Sequence, residues 1–169
     1  TTPQHIEEAR KALEGIEPLY EKQAKARKIE MNQILEKEDY VPLFKQVANK
    51  RTILVELDPP KTLDISTYME GSKALIEAGA DSITLADNSL ASPRISNMAL
   101  GTLLKEQGHN PLVHLTCRDH NLIGLQSHLM GLHTLGMDEV LVITGDPSRV
   151  GDFPGATSVY DLTSLEMIA

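Results

Sequence analysis

Short apolar runs recur about every thirty residues from residue 53 onward, and an amphipathic segment follows each of them. The four runs are Ile53–Val55, Ile83–Leu85, Leu112–Leu115 and Val140–Ile143. Runs of this length without polar alternation are typical of parallel strands that are covered on both faces. The repeat therefore predicts an α/β fold in which parallel strands alternate with helices.

The hydrophobic pattern also predicts the bounds of these elements. The predicted strands cover residues 52–57, 82–86, 111–117 and 139–143. The predicted helices cover residues 64–78, 95–107 and 121–135, each ended by a glycine. A glycine-rich loop over residues 145–155 leads to a further helix that begins near Asp161. This periodicity does not separate a barrel from an open, doubly wound sheet.

Residues 1–50 lack the repeat and are predicted to form a helical tail and linker ahead of a βα domain at residues 51–169. The last part of this segment, residues 39–48, is predicted as a short helix that enters the domain. The chain starts at Thr1 without a methionine and stops at Ala169, a few residues into a predicted helix. Four βα units are half of an eight-fold barrel, so we expect a fragment of a longer protein.

Composition narrows the class of protein. A net charge of -8 over 169 residues disfavours a nucleic-acid partner or an anionic membrane surface. No apolar run reaches transmembrane length, and no signal peptide opens the chain. Cys117 is the only cysteine, so a reduced, cytoplasmic setting is expected and an intrachain disulfide is excluded. The histidine spacings do not form a metal-site pattern, so no metal is expected within this chain.

Polar residues close each apolar run. They are Glu56 and Asp58, then Asp87 and Asn88, then Arg118 and Asp119, then Asp146. Because the carboxyl ends of parallel strands meet at one edge of a sheet, these side chains are expected to meet in space. This predicted gathering supports most of the functional interpretation.

Glu56 lies inside an apolar run, where an unpaired carboxylate costs roughly several kcal/mol in desolvation. Burial there would raise its pKa and make it a proton donor near neutral pH. The alternative is a strand-end carboxylate paired with a buried base or a main-chain N–H. The residues alone do not separate the two interpretations.

The third strand carries His114 and Thr116 on one face and Leu115 and Cys117 on the other. His114 and Thr116 could reach a ligand if they face a barrel interior. From the residues alone, a core histidine with satisfied hydrogen bonds is the favoured interpretation of His114. Cys117 has no activating neighbours in sequence and is interpreted as a packing residue.

Two further loops have candidate ligand contacts. Gly145 allows close approach of the main chain after the fourth strand, and Asp146 would point into the site, although an Asx-type turn explains the same pattern. The loop with Asp87, Asn88 and Arg94 could bind a ligand or could be an ordinary solvated loop. The chain lacks both common glycine-rich nucleotide-binding motifs.

Five motifs follow one another between residues 50 and 169. They are V-E-L-D-P-P, A-D-N-S-L-A-S-P-R, H-L-T-C-R-D, V-I-T-G-D-P and G-D-F-P-G, with Tyr160-Asp161-Leu162 behind them. As an ordered set they resemble methylenetetrahydrofolate reductase. The resemblance implies a (β/α)8 TIM barrel, of which this chain would supply the first four βα units. It also implies FAD at the carboxyl ends of the strands and reduction of 5,10-methylenetetrahydrofolate to 5-methyltetrahydrofolate by NAD(P)H.

The resemblance also implies roles for individual residues. Glu56 matches the general acid that protonates the folate at N10, and Asp146 matches the aspartate that stabilises the developing cation and tunes the flavin. The implied flavin contacts are His114, Asp87, Asn88, Arg94, Thr144, Tyr160 and Asp161. Many family members have arginine at the position of Thr144, and aromatic residues often stand where this chain has Leu57 and Asp58.

The first six residues, Thr1 to Ile6, look like the tail of a homocysteine S-methyltransferase domain. That likeness implies an upstream domain that binds homocysteine and zinc, and a bifunctional protein. We expect the 169-residue fragment alone to lack turnover, since missing strands would complete the core. Another α/β-barrel enzyme and a non-catalytic packing module stay open as alternatives. The choice between NADH and NADPH, and a homo-oligomer, are also left open.

Overall fold

The computed structural model describes residues 42–48 and 51–169. The predicted tail and linker therefore lie almost entirely outside the described residues, and only α1, Leu43–Val47, falls within them. The strands are β1 Leu54–Glu56, β2 Ser82–Leu85, β3 Leu112–Thr116 and β4 Val140–Ile143. The remaining helices are α2 Ser66–Glu77, α3 Asn97–Glu106, α4 Leu122–Thr134 and α5 Ser164–Ile168. Short 3-10 helices occupy Ser89–Ala91 and Ser148–Val150.

The four strands form one parallel sheet in the order β1-β2-β3-β4. The predicted α/β class and all four predicted strands are confirmed, with each strand one to three residues shorter than predicted. The last helix begins at Ser164 rather than near Asp161, because Thr163 and Glu166 form a capping box at its start. Asp64 accepts hydrogen bonds from Ser66 ahead of α2, at 2.9 Å from its main-chain N and 2.7 Å from its hydroxyl.

The core lies between the sheet and helices α2 to α4. One buried cluster joins β2 to α2 and α3, and Val55 of β1 and Leu57 just after β1 pack against it. Its members are Tyr68, Ile83, Leu85, Leu100 and Leu104. A second cluster joins Val113 of β3 to Leu132 of α4 and to Met137, with Val140 packed against it. Since Leu85 and Val113 are register partners, both clusters lie on the same face of the sheet.

Sequential parallel strands with helices α2, α3 and α4 on one face are the arrangement of a (β/α)8 barrel. A doubly wound sheet instead has helices on both faces. The described sheet is open rather than closed, so it corresponds to part of a barrel. Its second face, opposite the helices, carries Glu56, Thr84, His114 and Thr116, because each alternates with a residue that packs on the helices. None of the helices in the described part of the chain has the length and hydropathy to span a membrane.

Candidate active site at the carboxyl ends of the strands

The loops that follow β1 to β4 form what we call the carboxyl edge of the sheet. The residues that close the apolar runs all lie along it, because the strands are parallel and in register. Hydrogen bonds and ion pairs link each loop to at least one other. The predicted gathering of polar side chains is therefore found at this edge.

Arg94 links the loops after β1 and β2. Its Nη2 lies 3.2 Å from Asp58 Oδ2, and its Nη1 donates to the main-chain oxygen of Pro59 at 2.7 Å. Ser89 also donates to Asp58, at 2.7 Å. The main-chain N–H of Arg94 donates to Asn88 Oδ1 at 3.0 Å, which holds the second loop in a compact turn. Asn88 and Arg94, two predicted site residues, are thus direct neighbours.

Asp87 links β2 to β3. Its carboxylate is buried, with 8% of the residue exposed, and Oδ2 accepts from both the main-chain N–H and the hydroxyl of Thr116, at 2.9 and 2.7 Å. Two hydrogen bonds to the charged form offset the cost of burying it. Asp87 therefore fixes the end of β3. Its carboxylate is near enough to act on His114, which lies two residues before Thr116 on the same face of β3.

Arg118 links the loops after β2, β3 and β4 and was not among the predicted site residues. Its guanidinium is buried and forms a two-point ion pair with Asp119, with Nε to Oδ1 and Nη2 to Oδ2 both at 2.7 Å. Hydrogen bonding to Asp119 raises the pKa of Arg118, and the same contact lowers the pKa of Asp119. An arginine two residues after an apolar strand, among acidic loops, is the signal in the sequence that could have identified it.

Asp146 follows β4 and reaches back to the loop after β2. Its Oδ2 accepts from the main-chain N–H of Leu90 at 3.1 Å. Asn88, Leu90 and Ala91 all have positive φ, at 47°, 55° and 52°. Left-handed backbone at residues other than glycine costs about 1–3 kcal/mol each and persists only where surrounding contacts hold it. Asp146 supplies one such contact.

His114 lies on the sheet face opposite the helices, with 4% of its surface exposed, and its Nε2 is buried without a hydrogen-bond partner among the described residues. Burial lowers the pKa of His114, while the charges of Glu56, Asp87 and Asp58 act in the opposite direction. Those three carboxylates are therefore near enough to act on the imidazole. Asn97, which the sequence did not single out, holds the strand by donating to the main-chain oxygen of His114 at 2.8 Å.

Glu56 is at the end of β1, in register with Thr84 of β2. It is exposed, so the expected burial of this carboxylate is wrong. The physical reason is its place in the sheet: β1 is three residues long and pairs on one side only, with β2. Glu56 still lies on the same face as His114.

Three predicted cofactor contacts follow β4, and each of these residues forms a hydrogen bond within the protein. Thr144 donates to the hydroxyl of Ser164 at 3.1 Å. Tyr160, with φ of 48°, donates its hydroxyl to the main-chain oxygen of Gly145 at 3.3 Å. Asp161 accepts from the main-chain N–H of Leu122 at 2.9 Å, at the start of α4. Their roles toward a cofactor stay predictions.

A shallow cavity of about 160 Å³ lies at the carboxyl edge. It is lined by Asn88, Ala91, Ser92, Pro93, Arg118, Asp119, Ser148, Phe153 and Ala156. Glu56, His114 and Asp146 are not among the residues that line it. Among residues 42–48 and 51–169, no group of three or more His, Cys, Asp or Glu side chains could hold a metal ion.

The chain matches a known protein family. The family model described as methylenetetrahydrofolate reductase matches residues 43–168, which is more than half of the chain. The match covers every strand and every helix described above. No curated protein matches the chain.

Proposed function

The chain belongs to the methylenetetrahydrofolate reductase family, and from that premise we propose that its carboxyl edge reduces 5,10-methylenetetrahydrofolate to 5-methyltetrahydrofolate with bound FAD and NAD(P)H. Reduction of methylenetetrahydrofolate is the reaction of the family, whose fold is a TIM barrel. In TIM-barrel enzymes the active site lies at the carboxyl ends of the strands. The polar network of this chain lies at that end.

The observation that supports the proposal best is the surroundings of His114. A buried imidazole nitrogen without a partner costs about 1–3 kcal/mol, so such an atom is expected to meet a ligand, a water molecule or a further part of the protein. It lies on the face that a barrel encloses, and three carboxylates are close enough to affect its pKa. A packing module would not need this concentration of titratable groups on one face.

The residues present fit a flavin. The edge of a flavin ring carries hydrogen-bond donors and acceptors, and His114 Nε2 is a free partner of the kind that such an edge requires. Asp87, Asn88 and Arg94 would hold the cofactor from the loop after β2. Thr144, Tyr160 and Asp161 would hold it from beyond β4. When bound, FAD supplies the two-electron chemistry that amino-acid side chains lack.

Two carboxylates would act on the folate, one as a proton donor and one as a stabilising negative charge. Glu56 would donate a proton to N10 of 5,10-methylenetetrahydrofolate, which opens the five-membered ring and leaves a cationic carbon as the hydride acceptor. Its exposed position at the end of β1 leaves the carboxyl group accessible to a substrate. Asp146 would stabilise the developing cation by its negative charge. Its carboxylate is anchored through the N–H of Leu90 and stays exposed at the carboxyl edge.

We also propose the bifunctional assignment that the head of the chain suggests. Residues Thr1 to Ile6 support an upstream homocysteine S-methyltransferase domain with zinc, and they lie outside the described residues. Such a protein would use the methyl group of the reduced folate in the same polypeptide. Formation of methionine from homocysteine, lost on zinc removal while folate reduction continues, would support the assignment.

The proposed function is tested on the purified full-length protein by two measurements. The first is the visible absorbance of bound flavin, and the second is NAD(P)H-dependent formation of 5-methyltetrahydrofolate. The proposal expects both, with the flavin bleached by NAD(P)H under anaerobic conditions and reoxidised by methylenetetrahydrofolate. A colourless protein without reductase activity would contradict it.

A further inference from the structure

Arg118 donates hydrogen bonds to two other residues besides its ion-pair partner Asp119. It lies two residues after the end of β3, with 2% of its surface exposed. Besides the two bonds to Asp119, Nη1 donates to the main-chain oxygen of Asp146 at 3.2 Å and Nη2 to the main-chain oxygen of Asn88 at 3.1 Å. Nε and both terminal nitrogens are thus all engaged within the protein.

These contacts leave Arg118 with little capacity for a ligand. A guanidinium has five N–H groups, and the four bonds to Asp119, Asn88 and Asp146 occupy all but one of them. Asp119 also neutralises its charge at close range. A buried arginine of this kind acts on the loops that it joins rather than as an anion-binding group.

The contacts of Arg118 and of the loops that it joins converge on Asp146. Arg118 holds the main chain of Asp146, and the side chain of Asp146 accepts from Leu90. The carbonyl of Asn88, two residues before Leu90, is held by the same guanidinium, and Asn88 Nδ2 lies 3.3 Å from Asp119 Oδ2. The contacts therefore form a closed ring that fixes where the Asp146 carboxylate lies.

The ring also stabilises strained backbone. Asn88 and Leu90 have φ of 47° and 55°, values that cost free energy in residues other than glycine. The N–H of Leu90 points at Asp146 only because the chain adopts this conformation. Without Arg118, the loop after β2 would relax and the hydrogen bond from Leu90 would weaken.

We propose that Arg118 is a positioning residue that sets the place of the Asp146 carboxylate relative to the substrate. The proposal rests on the proposed function for the role of Asp146, and on the described contacts for the link between the two residues. Arg118 itself is not proposed to touch a reacting atom. Its contribution to catalysis passes through Asp146.

The structural part is tested by amide hydrogen exchange at Leu90. This residue is 64% exposed, so the protection of its N–H depends on Asp146 Oδ2. Arg118→Lys keeps the charge but loses the two-point ion pair with Asp119 and the bonds to the main-chain oxygens. We expect exchange at the Leu90 amide to become about tenfold faster. Arg51→Lys, at an exposed residue before β1 and so at the opposite edge of the sheet, is the matched control. Unchanged protection in Arg118→Lys would overturn the proposal.

The catalytic part is tested by a double-mutant cycle with Asp146→Asn. Arg118→Lys alone should lower kcat by about tenfold or more, with the KM for methylenetetrahydrofolate within about twofold. In the Asp146→Asn background, the same substitution should change kcat by less than about twofold, because the carboxylate that it positions is gone. Equal effects of Arg118→Lys in both backgrounds would mean that Arg118 acts independently of Asp146, and would overturn the proposal.

A second variant covers the case in which Arg118→Lys does not fold. Asp119→Asn keeps the arginine and weakens the two-point ion pair, so it should show a smaller change at Leu90 in the same direction. An unchanged Leu90 amide in this folded variant would count against the proposal. If the unsubstituted protein lacks reductase activity, the proposed function fails, whereas the exchange measurement still decides whether Arg118 positions Asp146.

Discussion

Gly145 packs directly against Arg118. A Cβ atom added to Gly145 would lie 3.2 Å from Cβ of Arg118 and 3.3 Å from Cβ of Thr116. Gly145 also has φ of +89°, which side-chain-bearing residues rarely adopt. The turn that carries Asp146 out of β4 therefore depends on a residue without a side chain, placed against the arginine that holds the next residue.

Gly145→Ala is expected to destabilise the protein by about 2–3 kcal/mol, since it adds backbone strain and a close contact together. Gly79 is the matched control, with φ of +108° and nothing within 4 Å of an added Cβ. Gly79→Ala should cost about 1–2 kcal/mol from the backbone alone. Denaturant unfolding measures both, and a Gly145→Ala variant no less stable than Gly79→Ala would show that the contact is unimportant.

Gly155 supplies a second reference for the same series. It has no positive φ, and an added Cβ would meet nothing within 4 Å. Gly155→Ala should therefore leave the free energy of unfolding within about 0.5 kcal/mol of the unsubstituted protein. A large loss at this position would mean that alanine at a loop glycine is costly here for reasons other than φ or contact.

Much of the fold was predictable because the core residues lie in short apolar runs that recur about every thirty residues. Leu85 and Val113 lie in short apolar runs, and their burial against α2 to α4 follows from the βα repeat. The edge position of β1 follows from the predicted order of four βα units, but its effect on the burial of Glu56 was not anticipated. The burial expected for Glu56 failed for this reason.

The sequence predicted that the candidate site lies at the carboxyl edge, but not which of its residues contact one another. The loop residues after each strand could be assigned to one edge from parallel topology alone. Which of them contact each other depends on loop conformation, such as the positive φ of Leu90 that aims its N–H at Asp146. The sequence placed Arg118 at this edge but not its role in joining the loops, because hydrogen bonds to the main-chain oxygens of distant residues leave no pattern in the sequence.

Tyr68→Phe is expected to stabilise the protein or leave it unchanged. The Tyr68 hydroxyl is buried in the first core cluster, and it has no hydrogen-bond partner among the described residues. Removing it relieves a desolvation cost of about 1–3 kcal/mol and leaves the ring in place. Tyr160→Phe is the comparison, since its hydroxyl donates to Gly145, and it should lower the free energy of unfolding. A clear loss of stability in Tyr68→Phe would reveal a partner for that hydroxyl.

The same tyrosine predicts a loss of stability at alkaline pH. Burial raises the pKa of Tyr68 from 10.0 to about 12. The unfolded chain therefore releases its proton first, and the stability that Tyr68 contributes is complete below pH 10 and is lost as the pH rises toward 12. The loss would amount to roughly 2–3 kcal/mol, because one pKa unit corresponds to about 1.4 kcal/mol. Tyr68→Phe should lack this component, and an identical alkaline profile in both proteins would contradict the assignment.

His114 predicts the opposite dependence at acid pH. Burial lowers its pKa below the ordinary 6.5, so the unfolded chain takes up a proton at a higher pH than the folded protein does. The contribution of His114 to stability is thus complete above pH 6.5 and falls as the pH drops through the folded pKa. Titration of the imidazole by NMR measures this directly. A midpoint at or above 6.5 would show that the ring is hydrated or paired with a carboxylate.

The most direct measurement of the proposed function separates the two half-reactions in Glu56→Gln. We predict that NAD(P)H still reduces the bound flavin within about twofold of the normal rate, while reduction of methylenetetrahydrofolate falls by about 10²–10⁴-fold. Glu70→Gln, at an exposed position on α2, is the matched control and should change neither step. Normal folate reduction in Glu56→Gln, or loss of flavin binding, would contradict the assignment of Glu56 as the acid of this site.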